Sequence, residues 1–301
     1  MFKKILKIIY PVAFIIFSCF LFYQIYQSIS TRISLFEPTI AYYTPDGINF
    51  TKRKTVARLF GLQDGLRLKD GKIMLTGIDF ARRGGLVDKE TGFRLTDVGF
   101  LVSQNGWNFE VPKMSIKGLK ENILAFGDPI IINLPDGNYR MYFTDRNDHA
   151  FLASAYSENG YDYVYERKIT GTVSLTAVDF NVLYEKRAKK YYIYTRGEKD
   201  QLIRILESED GRNFTKSFTM KFPFYLQFSI IDEGDYYRAY GSHPVSAPFG
   251  KDIRYPVLAT SKDGLNWEET EKQPVGPWKE NKFQASPVAI IKMPDGGYIF
   301  Y

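Results

Sequence analysis

The chain has 301 residues, 45% of them hydrophobic and 16% aromatic, with a formal net charge of +6, two histidines and a single cysteine. Its 40 Lys and Arg are scattered, with no basic run interleaved with aromatics, which argues against nucleic-acid binding. One cysteine excludes an intrachain disulfide, and there is no His/Cys metal spacing, no Gly-rich phosphate loop and no G-x-S-x-G elbow.

Residues 1–35 differ in kind from the rest. Lys3, Lys4 and Lys7 precede an apolar run from Ile8 to Tyr23, broken only by Pro11 and Ser18. This predicts a transmembrane signal anchor with the N-terminus cytoplasmic and the remainder extracytoplasmic. No small-x-small cleavage site follows it, although the run is at the short end of the ~17–25 residues a span needs, which keeps a cleaved signal peptide as the alternative. Cys19 follows the bulky Phe17 and precedes more apolar residues, so it reads as a buried membrane cysteine rather than a lipid-modified one. Residues 36–301 are then enough for one large β domain.

In that domain one turn returns five times: T-P-D-G-I-N-F from Thr44, S-Q-N-G-W-N-F from Ser103, S-E-N-G-Y-D-Y from Ser157, S-E-D-G-R-N-F from Ser208 and S-K-D-G-L-N-W from Ser261. Successive copies are 59, 54, 51 and 53 residues apart, a period that marks a repeat architecture. The hydroxyl and the Asp/Asn hydrogen-bond their own backbone, Gly takes a positive φ, and the aromatic opens the next strand.

A second element interleaves with the turns. An apolar strand, a tight turn and an aromatic-rich strand recur from Leu66, Gly127, Phe180, Phe228 and Ser286. With the strand leading to each Asp-Gly turn and a short one after it, each unit has four antiparallel strands, a propeller blade. The last unit stops at Tyr301 after two strands, and the first turn has no such pair before it. The expected fold is an all-β five-bladed propeller, closed by pairing of N- and C-terminal strands. A β-sandwich would give turn signals without the 50-residue super-period.

Strand direction places the Asp-Gly and Pro-Asp-Gly turns on one face, and the starts of inner strands with the ends of second strands on the other. At the start of three successive inner strands stand Asp64, Asp128 and Asp179. Converging on one funnel they would repel one another, which raises at least one pKa toward that of a general acid. Arg82, Arg83, Arg146, Arg196 and His243 stand at or after second-strand ends, and His149 and Trp278 lie in loops of the same region. The arginines would balance the aspartates' charge or clamp an acidic sugar, sulfate or phosphate, and Trp278 is a candidate stacking platform. Trp107 and Trp267 fall in the opposite turns and read as structural.

The stretch F-G-D-P-I-I-I-N-L-P-D-G-N-Y-R-M-Y-F and the repeated turn resemble the five-bladed propeller glycosidases of the arabinanase and β-xylosidase family (glycoside hydrolase family 43) and the invertase-like family 32, over residues 39–301. The resemblance implies glycoside hydrolysis without a cofactor, with Asp64 as base, Asp128 as the positioning, pKa-tuning carboxylate and Asp179 as acid. Where the family has a Glu, this chain has Asp179, one methylene shorter. The expected ligand is a glycan, acidic if the arginines form a clamp. The alternative is a non-catalytic propeller that binds glycan or a surface partner, and a third possibility is a transferase or phosphorylase with phosphate on Arg146 or Arg196.

Overall fold

The computed structural model describes residues 38–92, 94–95, 98–119, 126–145, 151–171, 180–196, 203–220, 228–245, 253–274 and 288–301. The anchor expected within residues 1–35 lies outside them. Among the described residues there is no helix, and so none long and apolar enough to cross a membrane.

The chain opens with β1 (Thr39–Thr44) and β2 (Lys52–Ala57), antiparallel across the first Asp-Gly turn. β3 (Phe60–Arg67) and β4 (Ile73–Asp79) form a hairpin. The loop after it carries β5 (Leu86–Asp88) and β6 (Arg94–Leu95), and β7 (Val98–Ser103) then pairs with β4. β8 (Met114–Lys117) precedes an antiparallel meander of β9 (Phe126–Asn133), β10 (Tyr139–Asp145), β11 (Phe151–Ser157) and β12 (Asp162–Lys168). After the short β13 (Thr170–Gly171) come β14 (Phe180–Glu185), β15 (Lys190–Arg196), β16 (Ile203–Ser208), β17 (Asn213–Phe214) and β18 (Lys216–Met220). Of these, β14, β15, β16 and β18 form one sheet, and β13 pairs with β17. The next sheet is β19 (Ser229–Asp232), β20 (Tyr237–Val245), β21 (Ile253–Ser261) and β22 (Glu268–Glu269). Finally β23 (Ile290–Lys292) and β24 (Tyr298–Phe300) return to the N-terminal pair, in the order β2-β1-β24-β23.

These sheets form a propeller-like arrangement. Inner strands β23 and β3, β3 and β9, β9 and β14, and β19 and β23 contact one another. Apolar side chains fill the seams between consecutive sheets. Leu66 and Met74 meet Met141 and Phe143; Ile130 and Tyr142 meet Val182 and Ile193; Leu183 and Tyr194 meet Ala239 and Val257. Ile231 and Tyr240 meet Ile290 and Phe300, and Ala289 and Ile299 meet Leu75 and Leu101, back at the β3–β4 hairpin.

The expectation of four antiparallel strands in every unit needs correction in one place. The sheet of β3, β4 and β7 has three strands, its fourth position reduced to an isolated bridge between Val102 and Glu110. The chain then crosses to the next sheet, where β8 runs parallel to β12 and β5 runs parallel to β8. The gain is physical: Leu86, Leu95, Met114 and Ile116 become buried in the adjoining core, and the outer edge of β12 is covered.

The repeated turn has one construction throughout. The Gly47, Gly106, Gly160, Gly211 and Gly264 amides donate to the Thr44, Ser103, Ser157, Ser208 and Ser261 hydroxyls at 2.9–3.0 Å. Each Gly has φ between 70° and 81°, where a side chain is strained. The Asp or Asn in each turn accepts two further backbone N–H bonds, as Asp210 does from Arg212 and Asn213, both 2.8 Å. Their positions at the joints between sheets explain why the turns recur. The hydroxyls of Tyr142, Tyr194 and Tyr301 donate to the carbonyls of Gly211, Gly264 and Gly106 in the turn of the following sheet.

Candidate functional site

The face opposite those turns is where the inner strands begin. Both β3 and β9 carry a bulge near their start, β3 between Leu62 and Asp64, and β9 opposite the step from Tyr142 to Thr144. Pro129 has no N–H to give a ladder, so a break in pairing there follows from the sequence. Asp128 occupies this bulge in a left-handed conformation, φ 48°, which Asp tolerates better than most side chains. It is 7% exposed. Gln63, from the bulge of the neighbouring sheet, donates through Nε2 to Asp128 Oδ1 at 3.0 Å.

Asp64 lies in the same seam. Its Oδ2 accepts the Ile131 amide of β9 at 3.3 Å. The residue as a whole is half-buried, but protein packed around its carboxyl desolvates it and pushes its pKa up to about 7 against the lowering pull of the Gly65 and Ile131 amides. Repulsion among converging aspartates was the expected cause; desolvation is the dominant one here.

The two aspartates are not equivalent in register. Phe60 and Gly61 face Asp79 and Ile78, as Phe126 and Gly127 face Asp145 and Thr144. Asp64 pairs with Thr76 and Ile130 with Tyr142, so F-G-L-Q-D-G superposes on F-G-D-P-I-I. Leu62 therefore stands where the second sheet has Asp128, and Asp64 lies two residues deeper. The expectation that both mark the start of an inner strand is corrected accordingly. On the third inner strand Asn181, facing Tyr194, occupies the level of Asp64 and donates to the Phe228 carbonyl at 2.6 Å.

The remaining candidates separate. Arg83 is committed to Asp79, a buried carboxylate it meets through Nε at 3.2 Å and Nη2 at 3.1 Å. The amides of Ala81, Arg83 and Gly84 donate to the same carboxylate, so this arginine serves charge balance and loop structure. Arg82 is exposed in that loop with φ 51°. Arg196 ends β15 opposite Ile203. His243 lies within a strand rather than after it, because the β20–β21 ladder continues unbroken to Val245 and Ile253. Asp179, Arg146, His149 and Trp278 lie outside the described residues, as do the side chains of Arg196 and His243. Trp107 stacks under Lys52 at 4.2 Å and Trp267 bonds the Gly264 carbonyl at 3.0 Å, both structural as expected. No group of three or more His, Cys, Asp or Glu able to hold a metal occurs among the described residues.

Sequence reasoning passed over Gln63, Thr76 and Phe80. The Thr76 hydroxyl donates to the Pro129 carbonyl at 2.6 Å. Phe80, 41% exposed, lies over Gly61, where an added Cβ would sit 3.1 Å from its ring. Superposing the two F-G segments by eye would have flagged Leu62 and Gln63; nothing in the sequence signals Phe80.

No family model matches the sequence, and no curated protein matches it either. Solved structures do. An exo-β-1,3-galactanase from Phanerochaete chrysosporium, in complex with β-1,3-galactotriose, is similar at TM-score 0.55 and 15% identity over 87% of this chain. The match covers 64% of that protein's chain, less than two-thirds of its length. A glycosyl hydrolase from Bacteroides ovatus matches at TM-score 0.55 and 15% identity, covering 80% of this chain and 83% of its own. A structure described under the glycoside hydrolase family 130 mannoside phosphorylases, a family containing hydrolases that target β-1,2 mannosidic linkages in Candida mannan, matches at 0.53 and 17%, with 80% and 83% covered. The structural neighbours are thus family 43 and related propeller glycoside hydrolases, and at these identities the likeness is one of fold.

Proposed function

We propose that residues 36–301 form a five-bladed propeller, closed by the pairing of β1 with β24, that acts on a glycan outside the cell, held at the membrane by an anchor within residues 1–35. The core clusters between consecutive sheets support the blade count. The reaction is hydrolysis of a glycosidic bond. Asp64, titrating near neutral pH, takes a proton from water as its oxygen attacks the anomeric carbon, and Asp128 orients and tunes the pair. Asp179 gives its proton to the departing oxygen. The single observation that carries this reading is the seam itself, where Gln63 reaches Asp128 and Asp64 reaches Ile131 across neighbouring inner strands.

A second reading, a propeller that binds glycan without cleaving it, is favoured by Leu62 at the counterpart of Asp128 and by Asn181 on the third inner strand. One experiment separates the two. The full chain is incubated with β-1,3-galactotriose, β-1,2-mannobiose, and arabino- and xylo-oligosaccharides, with and without inorganic phosphate. Product from the unaltered protein, lost in Asp128→Asn with binding retained, supports hydrolysis; product only with phosphate supports phosphorolysis. No product anywhere, with binding that survives Asp64→Asn, Asp128→Asn and Asp179→Asn, establishes the binding module. With a uronic-acid oligosaccharide added to the panel, equal affinity for neutral and acidic sugars removes the arginine clamp.

A further inference from the structure

Four of the sheets carry a tyrosine at the same place on the second strand: Tyr142, Tyr194, Tyr240 and Tyr301. Three of them donate to the turn carbonyl of the following sheet, and the Tyr240 hydroxyl lies against the Gly47 turn, where an added Cβ would be 2.2 Å away. At that place the β3–β4 sheet has Thr76, fully buried and too short to reach a turn. Its hydroxyl is turned instead to the Pro129 carbonyl, 2.6 Å away and one residue beyond Asp128. From the same sheet Gln63 donates to Asp128 itself. Two hydrogen bonds from one sheet thus hold the bulge of the next, at the single joint where the tyrosine is replaced.

We propose that Gln63 and Thr76 are positioning residues, which set the Asp128 carboxylate from the neighbouring sheet: Thr76 fixes the backbone of the bulge and Gln63 fixes the carboxylate. This rests on the reading that Asp128 is the functional carboxylate on this face. The ladder is interrupted where the left-handed Asp128 stands, so bonds reaching it from the neighbouring sheet bear on where its side chain points. The tyrosines' bonds end instead on the turn of the following sheet.

The test is carboxyl ¹³C NMR on the full chain labelled at aspartate, the Asp128 signal assigned by its absence in Asp128→Asn. Thr76→Val and Gln63→Leu keep shape and remove the donors, Thr76→Ser keeps the hydroxyl, and Tyr194→Phe removes a joint between two other sheets. The expected result is a displaced or broadened Asp128 signal in Thr76→Val and Gln63→Leu, a restored one in Thr76→Ser, and an unchanged one in Tyr194→Phe. An Asp128 signal that coincides with that of the unaltered chain in Gln63→Leu and in Thr76→Val overturns the proposal. If Thr76→Val does not fold, Gln63→Leu alone decides. Because the readout needs no substrate, it stands apart from the turnover assay: absence of product with displaced signals removes the hydrolase and leaves the positioning role intact.

Discussion

The Tyr142 hydroxyl donates to the Gly211 carbonyl at 2.8 Å, joining the second strand of one sheet to the Asp-Gly turn of the next. Burial holds this phenol well above its usual range, so it remains a donor at any pH the protein meets. Tyr142→Phe leaves the carbonyl without that donor in a buried joint. The expected cost is about 1 kcal/mol, up to about 3 if no other donor replaces it. Thermal unfolding should show a drop of roughly 2–4 °C per kcal/mol, with the β14–β18 sheet losing amide protection first. Tyr194→Phe should behave alike, since its partner is the equivalent Gly264 carbonyl.

The same joint separates two glycines that look alike in sequence. An added Cβ at Gly211 would lie 2.5 Å from Arg140 Nη1 and 2.7 Å from the Tyr142 hydroxyl, on a residue with φ 70°. At Gly71, φ 84°, it would meet nothing within 4 Å. Gly71→Ala should cost only the backbone strain, about 1–2 kcal/mol. Gly211→Ala should cost visibly more, because Arg140 and Tyr142 must both give way. Chemical denaturation of the two variants side by side measures the difference.

This contrast bears on what the sequence could reveal. The five turns were readable because a hydroxyl, an Asp or Asn and a Gly at fixed spacing have one local solution, which the hydrogen bonds reproduce at every copy. The inner hairpins followed from alternation and aromatic content. The crossing of β8 to β12 was not readable, because parallel pairing between distant segments leaves no local mark. At the site, Asp128 was legible from its place at the start of an inner strand and in the F-G-D-P stretch, whereas the bulge it occupies was not. Asp64 was placed too near the strand start, since the bulge at Gln63 shifts register by one residue without a proline to announce it. Arg83 looked available for a ligand until the fold showed Asp79 beneath it.

Arg140 and Glu166 supply a test of the buried charges at the same joint. The guanidinium meets the carboxylate through Nε at 2.8 Å and Nη2 at 3.2 Å, and also donates to the Asp210 carbonyl. Arg140 is almost wholly buried and Glu166 largely so. Glu166→Ala strands a buried cation and should cost about 3–5 kcal/mol. Asp162→Ala, whose Lys89 partner is more than half exposed, should cost at most about 1 kcal/mol for that ion pair. Glu166→Leu combined with Arg140→Met should be milder than the two single costs added together, as measured by a double-mutant cycle in urea.

The pH dependence of stability isolates Asp64. Its folded pKa, about 7, lies above the ordinary value near 4, so the folded state holds a proton that the unfolded chain releases. The stability this contributes is complete below pH ~4 and is lost as pH rises through about 7. The turn aspartates act oppositely: Asp210 is buried in part, but its backbone and side-chain donors bring it down to about 2. Their contribution is present above pH ~4 and disappears as pH falls toward 2. Asp64→Asn, which stays neutral like the protonated carboxyl, should therefore match the unaltered chain near pH 4 and become the more stable of the two as pH rises through 7, while leaving the acid limb in place. The full difference is at most about 4 kcal/mol from a three-unit displacement, and less because one side of the residue meets water. Urea unfolding at pH 4, 5.5, 7 and 8.5 measures it. If the two proteins run parallel across that range, Asp64 does not titrate between pH 4 and 7 in the folded protein, and the raised pKa is overturned.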